Sequence, residues 1–225
     1  MSDLRKEQLE VFSTMFIRTD AGGFEECTSA PLWDAFVSGA SHDLALAIAQ
    51  PPSYDDYRHY MNRILTPGIP GSLPLVESLY KDWGGRSAGL QHGQGYYLGE
   101  SAQHARAVFD SLGIEIPHEY ESMPDHLVLL LELFEYLRDN ASAQDAADFA
   151  RHHFDWLVDY RQALATRMEN ENDASLVEVA QFYRHLLSYV EEFVSSDVLL
   201  GEANEIIGDI NEDISRSTEE VILHD

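Results

Sequence analysis

Asp125 and His126 stand immediately ahead of an almost wholly apolar stretch, in Glu121-Ser-Met-Pro-Asp-His-Leu127 followed by Val128-Leu-Leu-Leu-Glu-Leu-Phe-Glu-Tyr-Leu137. A helix that is apolar nearly all round belongs inside a protein. Polar groups at its first turn therefore sit at the edge of a core, where a cleft can form. At about 100° per residue, Asp125, Leu129, Glu132 and Tyr136 fall within about 40° of one line. Glu132 is the odd member, because a carboxylate in such a helix is costly to bury unless something pairs with it. An arginine from within the fold would serve, and so would one from another protein. A structural reading competes. Ser122 and Asp125, three residues apart, suit a helix cap, and an aspartate in the first turn suits the helix dipole. His126 points about 100° away from Asp125, so the two do not read as a tight catalytic pair.

Two histidine-containing groups invite metal chemistry. In His152-His153-Phe-Asp-Trp156, His153 lies on an apolar stripe and reads as a satisfied core residue. Asp148 and His152 have the i, i+4 spacing of metal ligands on one helix face, but a third ligand must come from elsewhere. His42-Asp43 has the adjacent pair found in helical metal-dependent phosphohydrolases. Ser41 and Asp43 also sit where a helix starts, so capping accounts for them. A metal-dependent helical hydrolase using His42, Asp43, Asp148 and His152 is thus one alternative. The chain has no Gly-x-Ser-x-Gly, no phosphate loop ending in Gly-Lys-Ser/Thr and no dinucleotide fingerprint.

The chain that must position these groups has 225 residues, of which 44% are hydrophobic. That is enough for one large domain or two small lobes. No apolar run approaches the length of about 18 residues that spans a bilayer. The N-terminus lacks a charged-then-apolar export signal. The single cysteine, Cys27, excludes an internal disulfide and a Cys-rich zinc site. These features predict a cytoplasmic protein. Forty acidic residues against 14 basic ones give a net charge of −26, and only Lys6 and Lys81 are lysines. Nucleic acid is disfavoured as a partner, since phosphate rewards basic residues. The acidity suits a halophilic host, in which dense surface carboxylates keep a protein solvated. It also suits a cationic partner, or an acidic helical adaptor without further specificity. Residues 1–112 carry 14 acids and 8 bases, whereas residues 113–225 carry 26 and 6. A purely environmental cause would spread the charge more evenly.

The periodicity is helical almost throughout. Val11, Phe12, Met15 and Phe16 mark a first helix that Gly22-Gly23 should end. Pro31 opens a second, Ser41-His-Asp-Leu a third reaching Ala49, and Ser53-Tyr-Asp-Asp56 caps a fourth ending near Leu65. Residues 66–99 hold Pro67, Pro70, Pro74 and eight of the 14 glycines, a long loop region with one helical piece around Val76–Trp83. Ser101–Leu112 is a helix stopped by Gly113. A helix over 123–138 follows. Phe149, His153, Trp156, Leu157, Tyr160 and Leu164 keep helical spacing, as do Leu176, Val179, Tyr183, Leu186, Val190 and Val194. The expectation is an all-α bundle of about nine to eleven helices. It divides into an N-terminal lobe (1–112), a hinge (113–124), a C-terminal lobe (125–200) and an acidic tail (201–225). Ile206, Ile207, Ile210 and Ile214 give the tail helical spacing, so that it either docks or frays.

Four segments, in order, resemble the TorD/DmsD family of redox-enzyme maturation chaperones, with the nitrate-reductase chaperones as cousins. They are Leu73-Pro-Leu-Val-Glu-Ser-Leu-Tyr80; Gly99-Glu-Ser101 with its helix and Leu112-Gly113; Met123-Pro-Asp-His-Leu127 with Glu132 downstream; and Phe149 to Trp156 with Phe182-Tyr183 beyond. The resemblance covers about residues 70–195. It implies an all-helical, non-enzymatic protein, a monomer or a domain-swapped dimer, without a cofactor. Such a protein binds the twin-arginine signal peptide and the apo form of a molybdopterin-containing catalytic subunit in the cytoplasm, before cofactor insertion and export. Carried over onto this chain, the peptide-binding residues are Asp125 and His126, with Pro74, Leu75 and Tyr80 from the loop segment, then Trp83, His152 and Trp156; Glu132 is added as a second acid. Guanidinium groups followed by an apolar stretch need carboxylates beside greasy walls in a partly dry groove.

Overall fold

A computed structural model of the protein describes residues 3–81 and 97–196. Trp83 and the tail 201–225 lie outside the described residues. The elements are α1 (Asp3–Phe16), α2 (Ala21–Cys27), α3 (Ala30–Ser38), α4 (His42–Ala47), α5 (Tyr54–Tyr60), α6 (Glu100–Leu112), α7 (Leu127–Asn140), α8 (Ala143–His153) and α9 (Leu157–Met168). A tenth helix, α10, occupies residues 174–196. The fold is all-α, and among the described residues the extended pairing amounts to one antiparallel bridge, Val76 to His126. No helix among the described residues is long and apolar enough to cross a membrane.

Local signals account for most boundaries. Ser53 accepts the N–H of Asp56 and donates its hydroxyl to the Asp56 carboxylate at 2.6 Å, which starts α5. The helix then widens into a π-turn over Met61–Leu65. Gly113, at φ +68°, gives α6 a left-handed cap that a side chain would strain. Two expectations fail and a third holds in part. Gly22-Gly23 does not end the first helix: α1 is already over at Phe16, and the Asp20 side chain accepts the N–H of Gly23 to start α2 around the glycines. Ser41 does stand at the N-cap of α4, with Asp43 in the first turn, but its side chain makes no capping bond and its N–H reaches the Glu192 carboxylate at 3.3 Å. The stripe from Phe149 to Leu164 is two helices, because the chain turns at 154–156, where the Trp156 indole donates to the His153 carbonyl at 2.8 Å.

The core joins α1 to α10. Phe12 of α1 meets Phe36, Tyr189 and Phe193 at ring distances of 5.1, 5.1 and 5.4 Å. From α10, the Tyr183 hydroxyl donates to the Met15 carbonyl (2.7 Å) and that of Tyr189 to the Phe36 carbonyl (2.9 Å). Helix α7 runs through this core with Leu127, Leu130, Leu131 and Phe134 fully buried. Its buried carboxylate is Glu135, 5% exposed and held by Arg5 (2.7 Å) and Arg138 (3.0 Å). Glu132 faces solvent. The arginine from within the fold therefore exists, but it answers a different glutamate.

Candidate functional site

The segment carrying Asp125 and His126 is sewn to the segment 75–78. Leu127 N–H donates to the Leu75 carbonyl (2.9 Å), Glu77 N–H to the Asp125 carbonyl (3.1 Å) and Ser78 N–H to the Asp125 carboxylate (2.7 Å). These bonds flank the Val76–His126 bridge. The helix thus starts later than a cap at Ser122 would have it. His126 is the N-cap, its Nδ1 accepting the N–H of Val128 at 3.3 Å, and Asp125 lies outside the helix. Asp125 is 0% exposed. Burial pushes its carboxyl upward and the contacts with Ser78 oppose that shift. The calculated line through Asp125, Leu129, Glu132 and Tyr136 dissolves for the same reason: Asp125 and Leu129 are buried, Glu132 and Tyr136 exposed.

Behind this junction runs a polar chain. His153, fully buried, places Nδ1 at 2.7 Å from Glu77 Oε2 and Nε2 at 2.8 Å from His104 Nδ1. Burial, reinforced by the Lys81 ammonium, keeps the His153 imidazole neutral by holding its pKa well below 6.5. A neutral ring has one donor and one acceptor, so Nδ1–H donates to Glu77 and Nε2 accepts from His104. Lys81 lies 3.6 Å from Glu77 and 2.7 Å from Asp155. The reading of His153 as a satisfied core residue matches this arrangement.

In front of the junction lies an open groove of about 320 Å³. It is lined by Phe16 of α1, by Arg18 just beyond that helix, by Met61 and Leu65 of the α5 extension, and by Pro74, Glu119, Tyr120, Met123 and His126. Tyr120 packs on His126 with ring centres 5.1 Å apart. Burial first, then the charges of Glu119 and Glu132, push the Tyr120 hydroxyl pKa up. Burial alone lowers His126 to about 4. The groove therefore offers apolar walls with the Glu119 carboxylate in its lining, and neither Glu119 nor Glu132 makes an ion pair among the described residues.

Of the residues singled out from the sequence, Pro74 and His126 line this groove and Glu132 stands near it. Leu75 and Asp125 are buried behind it. Tyr80 and Trp156 are stacked at 5.6 Å and, with Tyr160, form a packed aromatic cluster. His152 is exposed on a separate groove of about 350 Å³ with Val108, Leu137, Asp145 and Phe149. Sequence reasoning did not single out Glu119, Tyr120, Met123 and Arg18. The acids of the connector 113–124 were the available signal for Glu119.

Asp148 is engaged by Arg151 and by Gln144 at 3.1 Å, and His152 Nδ1 lies 2.7 Å from the Asp148 carbonyl. No group of three or more His, Cys, Asp or Glu side chains among the described residues is placed to hold a metal ion.

A family model described as "Nitrate reductase delta subunit" matches residues 34–195, well over half of the chain. No curated protein and no solved structure matches the chain.

Proposed function

Because the chain belongs to the nitrate reductase delta subunit family, whose members are chaperones for molybdoenzyme assembly and generally non-catalytic, we propose that it is a chaperone for one exported molybdoenzyme. It binds the twin-arginine leader and the apo form of the catalytic subunit in the cytoplasm and holds them until cofactor insertion. The leader's apolar stretch lies between Met61, Leu65, Pro74 and Met123, and its guanidinium groups meet Glu119 and Glu132 beside Tyr120.

The observation that carries this reading is the groove itself: an open, largely apolar groove with Glu119 in its lining, a carboxylate that makes no hydrogen bond or ion pair among the described residues. Guanidinium groups bind carboxylates in a bidentate fork that an ammonium cannot match, so the site should prefer Arg-Arg to Lys-Lys. Reversible holding calls for micromolar affinity, about −8 kcal/mol. Asp125 then positions the wall that carries His126, and it does not touch the leader. Calorimetry with an Arg-Arg leader and its Lys-Lys counterpart tests the proposal. Binding of the first well above the second is expected. Equal binding of any basic peptide, lost on adding salt, would instead make the protein an acidic adaptor.

A further inference from the structure

The chain carries 14 basic residues among 40 acids, and most of its described arginines hold a carboxylate. Arg5, Arg138, Arg161 and Arg167 do so within 3.0 Å. Arg18 does not. It leaves α1 at the edge of the groove and donates to two neutral oxygens, Asn62 Oδ1 and Thr66 Oγ1, the latter at 3.3 Å. It makes no ion pair among the described residues, and its surface is exposed. In so acidic a chain, an arginine kept apart from acids at the border of an apolar groove retains its charge and spare donors for something else.

Arg18, two residues past the end of α1, and Glu119, on the 118–120 turn, both line this groove, so it carries both signs of charge. We infer that Arg18, fixed by Asn62 and Thr66, is a second polar subsite that takes an oxygen acceptor of the bound segment, beyond its apolar stretch and opposite its basic pair. This rests on the leader-binding reading above. Two sources supply that chemistry: an Asp or Glu side chain following the apolar stretch, or the unsatisfied carbonyls of the segment's C-terminal turn if it binds as a helix. Arg18 thereby fixes the direction in which the segment lies, and it selects among leaders that share the basic pair.

The test measures binding of two synthetic leader peptides to the full chain. Both carry Arg-Arg and the same apolar stretch, followed by Glu in one and Gln in the other. The proteins are the wild type, Arg18→Gln and Arg18→Lys. With a side-chain acceptor, the wild type binds the Glu peptide about five- to tenfold tighter, as befits one charge-assisted hydrogen bond. Arg18→Gln brings the ratio to about one, and Arg18→Lys keeps part of it. With backbone carbonyls as the acceptor, the wild type binds both peptides alike and Arg18→Gln weakens both to the same extent. Either result supports the subsite. Arg18→Gln binding both peptides as tightly as the wild type overturns it while leaving the leader-binding reading intact. Failure of the wild type to bind either peptide overturns that reading and the subsite with it. Should Arg18→Gln fail to fold, Arg18→Lys decides: a smaller Glu preference than the wild type's, or weaker binding of both peptides, supports the subsite, and affinities for both peptides equal to the wild type's overturn it.

Discussion

The backbone N–H of Ser78 lies 2.7 Å from the carboxylate of Asp125, in a place where both residues are shut off from solvent. This bond, with the Glu77 and Leu127 amides on either side, ties the segment before α7 to the segment after Pro74. The residue that the sequence marks most clearly is therefore a clamp. Asp125→Ala leaves a buried amide without an acceptor, which should lower stability by about 1–3 kcal/mol, and should loosen the His126 wall enough to weaken leader binding. Asp125→Asn keeps an oxygen for Ser78, so stability should stay within about 1 kcal/mol of the wild type and affinity should be retained. Denaturant unfolding and calorimetry on both variants check this. A folded Asp125→Asn protein that has lost its affinity would mean that the charge itself meets the peptide.

Glu119 and Glu132 should behave in the opposite way. Both are exposed, so Glu119→Gln and Glu132→Gln should leave stability within about 0.5 kcal/mol. Each should weaken binding of an Arg-Arg leader about three- to tenfold, as expected for a partly exposed ion pair. Adding salt should reduce wild-type affinity more than that of the double variant. Loss of stability in place of affinity would assign these glutamates to the fold.

The buried histidine predicts a pH dependence of stability. His153 is surrounded by Glu77 and His104, with Lys81, His152, Asp125 and Asp155 near enough to act on it. Its pKa in the folded protein lies below 6.5, mainly through burial. Below pH 6.5 the unfolded chain therefore binds a proton that the folded chain refuses. The contribution is complete above pH 6.5 and is lost as the pH falls below it. His126, lowered to about 4, has the same sign. Asp125, raised by burial, has the opposite sign at lower pH. Comparing the wild type with His153→Gln removes the His126 contribution, which is due to burial alone. The wild type should lose more stability than the variant between pH 7 and 5, by about 2 kcal/mol for one refused proton. Equal losses would show that His153 is protonated in the fold.

The sequence made the helices legible because their apolar spacing is strong. The stripe from Leu176 to Val194 is one helix, and Leu127 to Leu137 is the central one. It also marked the stretch that borders the candidate groove. It could not choose between Glu132 and Glu135, which differ by less than one helical turn, because the choice depends on where Arg5 arrives from a distant part of the chain. Nor could it show that Asp125 turns inward, since its partner is a backbone amide 47 residues away in sequence. Tyr120 and Glu119 become part of a groove only through the packing of the 118–120 turn against His126. Local spacing carries no trace of such a contact.

Calorimetric titration of the wild type with an Arg-Arg leader, its Lys-Lys counterpart and the Glu119→Gln/Glu132→Gln double variant tests the central claim most directly. The account predicts micromolar binding of the Arg-Arg leader and at least a tenfold loss, about 1.4 kcal/mol, with either the lysine peptide or the variant. Undiminished binding of both peptides by the double variant would contradict it.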